Sequence, residues 1–484
     1  MRCAAALLFV SAACGFAQNP VVDASALLRA GKFAEAHQLL AAAARDTPGD
    51  PRLFTLDGFA LARLGEDRAA IASYQSALAL APGYLPALEG AAEAKFKIRA
   101  PDVSDALTRL LAVRSADPTT HAMLGILAFE HGDCAAAESE FKQSEEAIAR
   151  EPKSLEARGA CLLRLQRPAA ARSVFASLVQ RAPAENRFRY DLAITELAAG
   201  LPREAIAALE AMPSLENDAD ALDLLADARE RCGETPDAIA ALRKAIVLHP
   251  KDSRLYLHFA DVALTHHSFQ AGVDMLNAGI SQSPHLSSLY LTRGILKVQL
   301  AQYAEAEQDF AQAEAIDPSS RYSAALQGMA KLQQNQLAPA GEEIRRRVGK
   351  HPDDPFLYYL LAETLTRRGA VAGTPEFAEA VAAARKAVSL QPHFALARDV
   401  LGRLYLQKGD TTEAVKQSRL AIADDPTDQT ALYHLIRALK KAGQDAEVPA
   451  LIAKLAQLRT QAQQKEMQER RYAIVVGNSP GAQP

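Results

Sequence analysis

Between Lys251 and Pro352 the pattern of large, small and polar positions recurs with a fixed period. Pro250, Pro284, Pro318 and Pro352 stand 34 residues apart, and the residues between them repeat one size pattern. With each unit numbered so that its proline falls at position 32, position 4 holds Tyr256, Tyr290, Ala324 and Tyr358. Positions 7 and 8 hold Phe259-Ala260, Arg293-Gly294, Gln327-Gly328 and Leu361-Ala362. Position 20 is Gly272, Ala306 or Ala340, and position 24 is Leu276, Phe310 or Ile344. Large residues at 4, 7, 11 and 24 beside small ones at 8 and 20 predict two short antiparallel helices, A and B, brought close by the small residues. A turn signal lies at positions 15 and 16 (Ala301-Gln302, Asn335-Gln336), and the proline stops helix B because it has no backbone N–H to donate. A unit this short cannot bury its own apolar face, so it needs neighbours of the same kind.

The pattern resembles the tetratricopeptide repeat, which has an aromatic at 4, Leu-Gly at 7 and 8, Tyr at 11, Ala at 20, an aromatic at 24, Ala at 27 and Pro at 32. One unit matches through Tyr290, Gly294, Tyr303, Ala306, Phe310, Ala313 and Pro318. Another matches through Leu401, Gly402, Tyr405, Gly409, Ala414, Ala421 and Pro426. The chain departs from the family in having no tryptophan, so tyrosine or phenylalanine fills position 4. The resemblance implies an all-α fold, a right-handed α-solenoid of about a dozen helix-turn-helix repeats, with a concave groove that contacts a protein or peptide segment.

Followed from its start, the array is uneven. Residues 20–215 form an irregular N-terminal array, whose second unit (Phe54, Gly58, Gly65, Ala70, Tyr74, Ala77) is close to the ideal. The second helix of the fourth unit is expected to extend to Arg150. Met212-Pro213-Ser214 and the acidic Glu216-Asn217-Asp218 mark a joint, either a hinge or one irregular step in a continuous superhelix. Residues 219–458 form the regular array, interrupted at Gly369–Phe377 by a loop signal, Gly373-Thr374-Pro375. Residues 459–484 are expected to be a polar helical cap and then a flexible tail.

Composition adds three constraints. Lys plus Arg (54) against Asp plus Glu (58) leaves a formal charge of −4, which gives a nucleic-acid-binding surface no global support. Residues 1–17 read as a secretory signal peptide: Arg2, an apolar run from Ala4 to Ala13, and the small residues of Gly15-Phe16-Ala17 before a cleavage point. Cleavage there gives a mature N-terminus at Gln18 and an exported protein, periplasmic or extracellular, with no transmembrane segment in the mature chain. Lipid attachment through Cys14 is the alternative, although Ser11-Ala12-Ala13 lacks the leucine-type residue usual there. Beyond the leader stand Cys134, Cys161 and Cys232; a Cys134–Cys161 bridge is conceivable, but small buried packing residues are the favoured assignment.

The sequence carries no phosphate-binding glycine loop, no nucleophile elbow and no paired histidine–glutamate zinc motif, so no catalytic residue, metal or cofactor is assigned. His266-His267, the one adjacent histidine pair, falls at an interhelical turn and is expected to be solvated. At 100° per residue, positions 2, 5, 9 and 12 of helix A lie on the side opposite its packed residues. The resemblance implies that these line the groove. In the seventh unit they are acidic (Asp220, Asp223, Asp227, Glu230), and in the eighth to tenth apolar (Leu257, Leu264, Leu291, Ile295, Val298, Tyr322, Met329, Leu332). Phe356 and Tyr359 follow, and then basic residues, Arg403, Arg437 and Lys440, with Arg367 and Lys441 beside them. The leading expectation is a non-catalytic envelope scaffold or adaptor. The others are a structural or assembly subunit that packs laterally or self-associates, and a recruiting arm for a separate enzyme chain.

Overall fold

The computed structural model describes residues 19–319, 321–334 and 336–469, with the side chains of 321–325, 468 and 469 excepted. The expected leader, the tail beyond residue 469 and the side chain of Tyr322 therefore lie outside the described residues. Twenty-seven α-helices and two short 3-10 turns make up the described chain, in thirteen successive A/B hairpins. Contacts divide it into two compact units, the first ending at Ala208 and the second beginning at Leu209.

The repeat's size pattern is a packing rule. Aromatic residues at position 24 lie flat against position 8, and only glycine leaves room for them. A β-carbon placed on Gly159 would stand 2.6 Å from the ring of Phe175; on Gly125, 2.7 Å from Phe141; on Gly58, 2.8 Å from Tyr74. Phe141, Phe175 and Phe310 are the large, fully enclosed side chains that result. Each accounts for about 2–3 kcal/mol of burial before entropy is counted.

Position 4 holds successive repeats together through a hydrogen bond as well as through packing. The hydroxyls of Tyr256 and Tyr290 donate to the carbonyls of Pro250 (2.8 Å) and Pro284 (3.1 Å), at the end of the preceding repeat. Arg189 and Arg398 donate from the same position to Pro183 (3.2 Å) and Pro392 (2.9 Å), and His121 reaches the equivalent carbonyl of Ser115 at 3.1 Å. In these five repeats the residue at position 4 acts as a long donor, whether or not it is an aromatic ring, whereas Leu88, Leu155, Leu222 and Leu432 fill the same position by packing alone. The next helix A then starts on a side-chain cap: Asp50, Asp117, Asp218, Asp252, Asp354 and Asp428 each accept a first-turn amide.

Position 15 turns the chain between helices with a positive φ in every repeat where it is described. Eight of these residues are glycine, with φ between +69° (Gly443) and +91° (Gly409). Arg99, Gln166, His267 and Ala301 adopt the same conformation at φ 51–58° despite their β-carbons, a local cost of about 1–2 kcal/mol each.

Three expectations change. Helix B of the fourth repeat ends at Gln143, and a separate turn, Glu145–Ile148, follows. At the break stands Ser144, wholly buried, whose hydroxyl bonds back to the carbonyls of Glu140 (3.1 Å) and Phe141 (3.2 Å). Cys134 and Cys161 form a disulfide, because the start of one helix B lies against the next helix A with Cα atoms 4.9 Å apart. His266 is buried rather than solvated, bonded to Glu230 and to the Thr235 hydroxyl (3.2 Å). In the second unit, Leu215–Asn217 forms a 3-10 turn tied by Glu216 to Lys244 at 2.7 Å. One helix runs from Val448 to Glu469, straight through residue 458.

Candidate protein-binding groove

In the second unit the helix A faces expected to line a groove carry three different chemistries. At the acidic end each carboxylate already has a partner. Asp220 pairs with Arg254 (2.9 Å) and Asp223 with His258 (2.6 Å), each reaching to the following repeat; Asp227 pairs with Arg231 (3.0 Å) on its own helix, and Glu230 bonds His266. Burial alone would lower the pKa of His258, but its hydrogen bond to Asp223 and the charges of Asp223, Asp227 and Asp261 outweigh this and raise it. Asp220 and Asp223 thus stitch repeats seven and eight, and Asp227 is held within its own helix, rather than presenting free charge.

The apolar middle is half-buried between successive A helices. Leu257 and Leu264 pack against the core around Tyr256 and Leu276, and Leu291, Ile295 and Val298 against Phe310 and Ala330. Leu332 is buried outright, and Met329 packs against the core that begins there. These residues are the seam of the array.

At the eleventh repeat the half-buried apolar stripe turns aromatic, and exposed apolar side chains follow in repeats twelve and thirteen. Phe356, Tyr359 and Phe394 form an aromatic cluster with centroids 5.4–6.1 Å apart. Burial, and then the charge of Glu363, pushes the Tyr359 hydroxyl up to about 12. Leu396 and Tyr433, on the same face of the next two A helices, are 43% and 45% exposed.

Beyond them lies the basic end. Glu363 binds Arg367 (2.7 Å) and Arg403, and Asp399 takes Arg403 at 3.3 Å and His434 at 2.8 Å. Burial works against the Glu363 carboxylate, yet the two arginines hold it below its usual range. Arg403 is thereby clasped inside the array. Arg437 and Lys440 are exposed and have no carboxylate partner among the described residues; Arg437 stands 5.9 Å from the Tyr433 ring. Among the described residues Lys441 bonds only the Leu406 carbonyl, at 3.1 Å. Arg403, Arg437, Lys440, Lys441 and His434 together line an open cleft of about 740 Å³.

Profiles of the tetratricopeptide repeat match residues 23–84, 122–186, 162–221 and 376–429, and a second profile of the same repeat matches 219–262. The chain belongs to the tetratricopeptide repeat family. Yeast Tom70 is 16% identical over 93% of this chain and 96% of its own, with a TM-score of 0.43. A tetratricopeptide repeat protein from Parabacteroides merdae is 17% identical over 52% of this chain and 98% of its own, at 0.42. A thermophilic tetratricopeptide protein of Thermus thermophilus is 19% identical over 38% and 97%, at 0.33. No curated protein matches the chain.

Tetratricopeptide arrays are in general protein-interaction scaffolds. Within this one, the sequence-assigned groove residues fall into three classes. Arg403, Arg437 and Lys440 share a cleft, Phe356 and Tyr359 an aromatic cluster, and Asp223, Asp227, Leu257, Leu291, Ile295, Met329 and Arg367 are engaged within or between repeats. Leu396 and Tyr433 were missed although they occupy positions 2 and 5, where the same rule points. Phe394 was missed because it lies in the turn before helix A, outside the helical count. Among the described residues no helix is long and apolar enough to cross a membrane, and no group of three or more His, Cys, Asp and Glu could hold a metal ion.

Proposed function

We propose that this tetratricopeptide protein is a non-catalytic scaffold of the cell envelope that holds an acidic segment of a partner protein in the groove of repeats eleven to thirteen. The observation that carries this is the cleft of about 740 Å³ in which Arg437, Lys440 and Lys441 keep cationic groups without carboxylate partners among the described residues, with exposed Tyr433 next to Arg437. An aromatic or aliphatic side chain of the partner loses water against the rings, where interface energy concentrates. Its carboxylates then meet the cations, which set orientation and speed association more than they add affinity. Preformed helices keep the ordering cost on the protein's side small.

Export is part of the proposal. The leader-like residues 1–17 support it, and so does the Cys134–Cys161 disulfide, which persists in oxidising compartments. Intact-mass analysis of exported material should give an N-terminus at Gln18; a retained Met1 sinks the export reading, and a lipid on Cys14 replaces release with anchoring.

The groove is tested with a fluorescein-labelled peptide bearing two phenylalanines followed by four glutamates. Arg437→Glu with Lys440→Glu should weaken binding about tenfold or more, by slowing association, with the loss shrinking as salt rises. Tyr433→Ala should weaken it by faster dissociation. Equal binding by the parent chain and both variants refutes the assignment.

A further inference from the structure

The first unit contains a cleft of a different kind, in which one carboxylate has been left without a partner. Two adjoining hollows of about 420 and 440 Å³ share Arg99, Ile126 and Lys153 and run along the A helices of repeats four to six. The second hollow has an apolar lining that includes Phe129, Leu163 and Ile194. Around it the charges are almost all spoken for: Glu130 is held by Arg99 at 2.7 Å, and Glu156 by Arg187 at 2.7 Å. Asp191, half-buried in the same wall, has no hydrogen bond or ion pair to its carboxylate among the described residues. Lys153, which borders both hollows, and Arg150, in the first, are cations without a carboxylate partner among the described residues.

We propose that this cleft takes a lysine or arginine side chain of a partner segment, set against Asp191, with the neighbouring aliphatic side chain on the Phe129–Leu163–Ile194 floor. This rests on the reading of the chain as a protein-binding scaffold and adds a second recognition chemistry to it. A carboxylate removed from water without a partner is costly, and a cation arriving on a ligand recovers that loss. Asp191 shows the strain: burial first, and then the charge of Glu156, raises its pKa to about 6, with Arg187 opposing. The other charged groups lining this hollow are Lys153 and the Arg99–Glu130 pair, while helix B of repeat five offers the uncharged Phe175. Binding of a cation therefore strengthens as pH rises through about 6, where Asp191 ionises. Lys153 and Arg150 repel a second basic residue on the side of the first hollow, which gives the bound segment a direction.

The test uses the full chain and two fluorescein-labelled peptides, Gly-Leu-Lys-Leu-Ser-Gly and its counterpart with norleucine in place of lysine. At pH 7.5 the lysine peptide should bind at least about tenfold tighter than the norleucine peptide, and at pH 5 that preference should largely vanish. Asp191→Asn, which keeps the shape of the side chain, should abolish the preference at both pH values, and Asp191→Glu should retain part of it. The acidic peptide used for the other groove should bind the Asp191→Asn chain as it binds the parent, which separates failure here from failure of the scaffold reading. No binding of the lysine peptide, equal binding of the two peptides, or a preference that survives Asp191→Asn each overturns the proposal.

Discussion

Reducing the Cys134–Cys161 disulfide should loosen two repeats and leave the regular array untouched. The bridge joins the first turn of helix B in repeat four to the last turn of helix A in repeat five, across a sequence separation of 27. Loop-closure entropy for a link of that span amounts to about 3.5 kcal/mol removed from the unfolded state. Both cysteines are almost wholly buried in the core that contains Phe141, Ile148 and Phe175, so reduction leaves two thiols where the bridge was and opens no large cavity. The entropic contribution is then the main loss, and 3.5 kcal/mol corresponds to about 300-fold in a local opening constant.

Because each repeat touches only its neighbours, the loss should stay local. Hydrogen exchange followed by mass spectrometry on oxidised and reduced protein reads it directly. Peptides from residues 118–181 should lose protection by up to about 300-fold, whereas peptides from 219–350 should exchange at unchanged rates. A Cys134→Ala/Cys161→Ala chain should behave like the reduced protein under oxidising conditions. Equal loss along the whole chain would show that the repeats unfold as one cooperative body, and no loss at 118–181 would show that the bridge does not restrain this region in solution. Either result refutes the reasoning.

Two further outcomes follow from the packing and the ion pairs. Gly159→Ala should destabilise its repeat by about 1–3 kcal/mol, since the new methyl overlaps the buried Phe175 ring; Gly349→Ala, on a helix with open space around it, should stabilise by about 0.5–1 kcal/mol. Urea unfolding should move in opposite directions for the two, and a shift of the same sign in both would sink the argument. His258 has a folded pKa above its ordinary value, so its contribution is fully present below pH 6.5 and is lost as pH rises through the folded pKa. Hydrogen exchange over residues 219–265 should accordingly be slower at pH 6 than at pH 8 after correction for intrinsic rate, and His258→Gln should remove the difference.

The helical hairpins were legible because their rules act inside one repeat. Gly159 with Phe175, or Gly294 with Phe310, are sixteen residues apart and face each other whatever the rest of the chain does. Position 4 was only partly legible: size and aromaticity suggested packing, while the shared act of Tyr256, Arg189 and His121 is donation to a carbonyl six residues earlier. The Cys134–Cys161 pair was named as a conceivable bridge but ranked below simple packing, because a buried cysteine carries the same size signal at a packed position whether or not it is bonded.

The groove was the least legible part, because a position on the outer face says which way a side chain points and nothing about what meets it there. What meets it comes from one repeat further on. Asp223 and His258 lie 35 residues apart, as do Asp399 and His434, and Asp220 reaches Arg254 across 34. An acid at position 5 followed by histidine at position 6 of the next repeat is therefore a built-in brace, and it recurs at both ends of the second unit. The brace changes the functional argument. An acidic run that is paired off repeat by repeat exerts little pull on a cationic segment, since the fields of its carboxylates and of their partners largely cancel beyond a Debye length of roughly 8 Å. At the other end Glu363 and Asp399 absorb Arg367, Arg403 and His434, but Arg437 and Lys440 have no acid left to meet. The polarity of this face is set by the residual after bracing, not by the order of charges in the sequence, and that residual is positive and lies at the thirteenth repeat, within reach of Tyr433.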